Sequence, residues 1–177
     1  LAIEQYVRPW SGIAYRHVTA HRSYDPLDFR LAGLGKLNRW NVPGEPTLYL
    51  AGDEGVLITE WGRHFNTNRP TELAEIAEER EVLRFGISVE SLLDLRDTAV
   101  LEELSLEDAP NCFLDRDRAR VTARFIRTVT PAQGILVPPI TFLDQPDRWS
   151  LVLFLEKLPE PKDFITSVST FGPLKRG

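Results

Sequence analysis

The stretch from Asn38 to Glu60 reads NRWNVPGEPTLYLAGDEGVLITE, and its two halves obey different rules. The first half sets Arg39, Trp40 and Asn41 beside Pro43, Gly44 and Pro46 with no hydrophobic period, the composition of a loop held over a site. The second half turns regular. Pro46 to Ala51 is an apolar run of strand length, and Asp53 to Phe65 reads as a helix opened by an acidic cap. A strand end carrying Tyr49, a tight turn and a helix carrying Glu60 in its second turn put an aromatic ring and a carboxylate on one wall. Those are the ingredients of a nucleotide site.

Composition limits what the wall can belong to. With 177 residues, 42% hydrophobic and 27% charged, the chain has the make-up of a globular protein, and residues 1–177 are expected to form one domain. No apolar run reaches bilayer length and the N-terminus has no basic-then-apolar signal, so a cytoplasmic protein without a membrane partner is expected. Met is absent throughout, which suggests a trimmed start. A net charge of -5 and a pI near 5.3 argue against direct nucleic-acid binding, which needs an excess of clustered Lys and Arg. Cys112 is alone and reads as a partly buried bystander. His17, His21 and His64 lack a metal-ligand spacing, so no metal is expected, and neither a G-x-G-x-x-G turn nor a phosphate loop is present.

Upstream, Gly12 to Val18 reads as a strand that carries Arg16. His21 to Asp28 and Leu31 to Leu37 read as loop, so nearly the whole interval from His17 to Pro46 is irregular. A loop of that length in a compact domain tends to be functional. Downstream, Thr71 to Glu81 is acidic and polar, one or two helical turns at the surface. Glu81 to Val89 alternates as a half-buried strand, and Leu92 to Leu95 reads as a further short one. Ala99 to Leu106 is a short helix. Asp115 to Val129 is a capped helix with Val121, Phe125, Ile126 and Val129 on its apolar face and arginines on a solvated one. Gly134 to Val137, Ser150 to Leu155 and an edge segment Asp163 to Phe171 complete the strands. The sum is an α+β fold: a mixed, mostly antiparallel sheet of about six to eight short strands with flanking helices.

Two pairs of residues carry the chemistry. Arg16 and Arg39 can each offer a bidentate fork to a pyrophosphate, although an isolated Arg reads equally well as a surface ion-pair residue. Tyr49 can stack on a heterocycle or fill the core. Glu60 can stabilise an oxocarbenium-like ribose or activate a hydroxyl, the demand of N-glycosidic cleavage, or it can be a solvated helix residue. Its neighbours Ile58 and Trp61 put it near the apolar boundary.

The segments Tyr15-Arg16, Asn38 to Asn41 (NRWN), Thr47 to Ala51 (TLYLA), Thr59-Glu60, Gly134 to Pro138 (GILVP) and Leu151 to Phe154 (LVLF) resemble, in order and spacing, the RES-domain family, and the likeness spans essentially the whole chain. The resemblance implies an ADP-ribosyltransferase-like fold. It also implies a bacterial toxin encoded beside a helix-turn-helix (Xre-like) antitoxin and acting on NAD. The implied reaction is cleavage of the nicotinamide–ribose bond with phosphate or water as acceptor, or else transfer of ADP-ribose to a protein. By the same resemblance Arg16, Tyr49 and Glu60 are catalytic, and Arg16, Arg39, Trp40, Asn41 and Tyr49 contact NAD. NAD is then substrate, no cofactor is required, and inorganic phosphate is a candidate co-substrate. One position departs from the pattern: the serine expected after the proline of the GILVP segment is Pro139, which has neither a hydroxyl nor a backbone N–H. Three consequences are open. Thr141 or another donor substitutes, the enzyme is weakened, or the domain binds NAD or an antitoxin without turnover.

Overall fold

The computed structural model describes residues 2–63, 79–158 and 160–174. In chain order the described elements are β1 (Arg8–Thr19), β2 (Thr47–Ala51), α1 (Glu54–Arg63), β3 (Arg80–Asp94), α2 (Thr98–Glu103), α3 (Arg116–Val129), β4 (Gly134–Val137), β5 (Ser150–Phe154) and β6 (Ile165–Pro173). His64, the last turn expected for the Asp53–Phe65 helix and most of the expected Thr71–Glu81 turns fall outside the described residues.

β2, β5 and β4 pair antiparallel in that order, and β4 runs parallel to the end of β3. β3 then pairs antiparallel with nearly the full length of β1. One residue pair, Tyr15 with Ala51, joins β1 back to β2, so the five strands form a ring, with β6 as an edge strand on β3. The sheet is therefore mixed and mostly antiparallel, as the alternation in the sequence predicts. Its curvature into a ring was not legible there.

The period of two along each strand sorts side chains between the two faces of this ring. Leu48 and Leu50 of β2, Leu83, Phe85 and Ile87 of β3, and Leu151 and Leu153 of β5 share one core with Ala14 and Val18 of β1. The opposite face of β4 and β5 offers Ile135, Val137, Val152 and Phe154 to α3, which buries Ala119, Ala123 and Ile126 there. Val56 and Leu57 of α1 pack with Ala51 and Val82.

The expected strands Glu81–Val89 and Leu92–Leu95 are one continuous strand, β3. Its pairing with β1 runs from Trp10 opposite Val89 to Arg8 opposite Leu92, so β3 carries one extra residue at Glu90–Ser91. A bulge of this kind reverses the inside–outside phase, which reads in sequence as the end of one strand and the start of another. Pro9, which cannot donate to a ladder, sits opposite the bulge, and Gln133 Oε1 accepts the Glu90 and Ser91 N–H groups at 3.0 and 3.3 Å.

The Asp115–Val129 helix begins as expected, with Asp115 accepting from the N–H groups of Asp117 and Arg118. Its expected apolar face is corrected. Val121 and Phe125 are exposed, and the buried stripe is Ala119, Thr122, Ala123 and Ile126. The residues it turns inward, Ala119, Ala123 and Ile126, share one buried cluster with Ile135, Val137, Val152 and Phe154 of the sheet. The arginine face is also less solvated than predicted. Arg127 is only 9% exposed; its Nε lies 3.2 Å from Glu156, its Nη1 3.6 Å from Glu45, its Nη2 donates to Thr47 Oγ1 at 2.7 Å, and its guanidinium covers the Phe154 ring. Arg127→Ala leaves two carboxylates without their shared cation and is expected to cost about 2–3 kcal/mol, read from urea unfolding. A change within 0.5 kcal/mol or so would remove this network from the account of stability.

Candidate functional site

β1 and β2 touch at Tyr15 and Ala51 and then part company. Beyond that point the ladder would continue through Arg16, His17 and Val18 on one side and Leu50 and Tyr49 on the other. These same residues line a cavity of about 670 Å³ that occupies the split. That volume lies within the range of small-molecule sites. The strands can separate without loss because β1 keeps its ladder with β3 and β2 keeps its ladder with β5.

Arg16 lines the cavity with its guanidinium 5.6 Å from the centre of the Phe29 ring. No hydrogen bond or ion pair connects the Arg16 guanidinium to another described residue. Burial pulls its pKa below the usual guanidinium value, opposed by Tyr24. A desolvated cation without an anion is costly, and it is the arrangement an anionic ligand completes.

Glu60 reaches the cavity from α1. Asp53 caps that helix by accepting from Val56 N–H at 2.9 Å, and Arg148, stacked on the Phe142 ring, holds Asp53 at 3.2 Å. The α1 start is thereby fixed against the turn Ile140–Phe142 that follows Pro139. Among the described residues Glu60 has no hydrogen-bond or ion-pair partner.

The Asn38–Pro46 loop is held by its own polar groups. Tyr49 Oη donates to Asn41 Oδ1 at 2.7 Å and accepts from Trp40 N–H at 3.0 Å, while Asn41 Nδ2 donates to Gly33 O and Val42 O. Gly33 has φ +91° and packs so closely on the Glu45 carbonyl that a Cβ would collide with it. Asn41 is fully buried and is not among the cavity-lining residues; its side chain shapes the loop. Trp40 lines the cavity but is 4% exposed and packs edge-on against Phe113. Arg39 also lines the cavity, and its Nη1 donates to Phe113 O at 2.7 Å and Leu114 O at 3.0 Å, which anchors the loop to the segment before α3. Arg120 of α3 donates to the Lys36 and Asn38 carbonyls and fastens the same loop from below.

Burial drives the Tyr49 phenol far above its ordinary pKa, so its hydroxyl stays protonated and its ring is what it presents to a ligand. Tyr49→Phe is expected to keep that ring and to lose about 1–2 kcal/mol of stability through the freed Trp40 and Asn41 groups, measured by denaturant titration. Retention of full stability would show that the loop does not depend on this hydroxyl.

Pro139, where the resemblance implies a serine, lines the cavity. Thr141 Oγ1 is buried without a hydrogen-bond partner, but Thr141 is not among the cavity-lining residues. Arg80, Arg116 and Ser150 are among the lining residues that the sequence did not single out. Arg80 begins β3, and its Nη1 donates to His17 Nδ1 at 3.2 Å. Arg116 opens α3 with its Nε buried and unpartnered. Ser150 opens β5. The one available signal was Arg116 directly after the Asp115 cap, which fixes it at a helix end. Arg80 and Ser150 reach the cavity only through strand pairing. Cys112 is buried, and burial followed by Asp108 raises its thiol pKa, which suits an inert side chain. No three His, Cys, Asp or Glu side chains gather in a metal-binding group among the described residues, and no described helix is long and apolar enough to cross a membrane.

Fold and cavity first define a class: an α+β protein whose ring-shaped sheet splits around a pocket lined by Arg16, Arg39, Arg80 and Arg116, with Glu60 as its carboxylate. A family model narrows the class. The RES domain model matches residues 13–172, and the chain belongs to the RES-domain family. The fold is similar to that of a chain in the crystal structure of the M. tuberculosis MbcT–MbcA toxin–antitoxin complex, with a TM-score of 0.64 and 23% sequence identity over 96% of this chain and 89% of that one. No curated protein matches the sequence.

Proposed function

We propose that the protein is the toxin of a toxin–antitoxin pair and consumes NAD by cleaving the bond between nicotinamide and ribose. The observation that carries the reading is a single cavity that collects Arg16, Arg39, Tyr49 and Glu60 from distant parts of the chain. Its lining guanidiniums exceed its carboxylate, the balance a pyrophosphate requires. Arg16, left without a protein anion, binds phosphate oxygens, and Arg39 adds a second positive charge to the same wall. The Tyr49 ring packs on the nicotinamide end.

Cleavage breaks the C–N bond with its electron pair leaving on nicotinamide, which departs neutral, while positive charge builds on the ribose. The Glu60 carboxylate stabilises that charge, and phosphate or water attacks the anomeric carbon, water releasing a proton. Phosphate as acceptor gives ADP-ribose 1″-phosphate; water gives ADP-ribose. The test is incubation with NAD, with and without phosphate, and chromatography of the products. Loss of NAD with free nicotinamide is expected, and intact NAD under every acceptor condition sinks the catalytic reading.

Pro139 on the cavity wall favours one alternative, a domain that binds NAD without turnover. Calorimetry showing binding with no product would support it, as would activity gained by Pro139→Ser. Transfer of ADP-ribose to a protein side chain is separated by mass spectrometry of host proteins. The partner we assign is an antitoxin of the helix-turn-helix kind, in keeping with the family and with the toxin–antitoxin complex of similar fold.

A further inference from the structure

Pro139 on the cavity wall has neither hydroxyl nor backbone N–H, which leaves a specific question, namely which neighbouring group can hydrogen-bond the substrate there. Thr141 is the nearest hydroxyl in sequence, yet it does not line the cavity. Among the lining residues the hydroxyl bearers are Tyr24, Tyr49 and Ser150. Tyr49 Oη is committed to Trp40 and Asn41, and Tyr24 is 50% exposed on the irregular segment after β1.

Ser150 differs from both. It pairs with Ala51 of β2 on one side and with Val137 of β4 on the other, so its backbone is fixed by ladders along both edges. Strand alternation sets its side chain on the same face as Val152 and Phe154, the face to which Tyr49 and Val137 also belong. Tyr49 pairs with Val152, so Ser150 stands diagonally across from the ring, about 7 Å away in an antiparallel pair. Val137 leads directly into Pro138 and Pro139, both on the cavity wall. The Ser150 hydroxyl has no hydrogen-bond partner among the described residues.

We infer that Ser150 provides the hydroxyl that Pro139 cannot, hydrogen-bonding the amide or ribose of the dinucleotide at its nicotinamide end. The inference rests on the NAD-cleaving reading above. A hydroxyl delivered from a central strand is well suited to this, because ladders on both edges fix its Cα. It makes Ser150 a substrate-contacting residue and explains how the cavity tolerates proline at position 139.

The test is NAD turnover by the full chain, with melting temperatures, for the natural protein, Ser150→Ala and Ser150→Thr. Ser150→Ala is expected to lower kcat/KM about 10- to 100-fold without a lower melting temperature, and Ser150→Thr, which keeps the hydroxyl, to retain most of the rate. An unchanged rate in Ser150→Ala overturns the inference while the NAD-cleaving reading stands. So does an equal loss in both variants at unchanged melting temperature, since the hydroxyl would then not matter. Absence of NAD loss in the natural protein overturns both.

Discussion

Glu60→Gln is expected to lower NAD turnover by about a hundredfold or more while leaving the melting temperature and NAD affinity close to their original values. The expectation follows from what Glu60 does not do. Its carboxylate has no hydrogen bond or ion pair with the described residues, so replacing it by Gln removes no polar contact that holds α1 in place. Gln keeps the volume and loses the charge, which isolates electrostatic stabilisation of the ribose from packing. Single-turnover kinetics on NAD, set beside calorimetric binding to the same variant, measures the two separately. A rate equal to that of the natural protein takes Glu60 out of the mechanism.

Arg16→Ala has the second largest expected effect, in the opposite register. NAD binding is expected to weaken at least tenfold to a hundredfold, because a guanidinium facing phosphate in a partly dry cavity makes strong charge-assisted hydrogen bonds. Stability of the ligand-free protein is expected to hold or to rise, since the variant no longer buries a cation that lacks an anion. Calorimetry with NAD and a thermal melt without it form the pair of measurements. Unchanged affinity would place the phosphates elsewhere in the cavity, with Arg80 and Arg116 the next lining cations to replace. A marked loss of stability would mean that Arg16 serves the fold.

Much of the architecture was readable because it rests on local rules. Asp53 and Asp115 announced their helices by the capping chemistry they then perform, and Glu81 to Val89 announced a strand by alternation. Failures came where a long-range contact changes what a local pattern means. The β3 bulge shifted the alternation by one residue and split one strand into two. On α3, Val121 and Phe125 looked like the buried face, yet the helix is rotated so that Ala119, Ala123 and Ile126 meet the core.

The cavity divides the same way. Residue type and spacing along the chain singled out Arg16, Arg39, Tyr49 and Glu60 as candidates, and the resemblance to the RES-domain family implied a serine where Pro139 stands. The same resemblance implied a ligand contact for Asn41, and no local pattern shows which groups its side chain bonds. Only the tertiary structure decided that Asn41 is spent on the loop, that Arg80, Arg116 and Ser150 share the cavity, and that the site exists as a split between β1 and β2. The physical reason is that strand registry and closure of the ring depend on pairings between residues far apart in the chain. No local pattern records which strand a given edge will meet, or where two paired strands will let go.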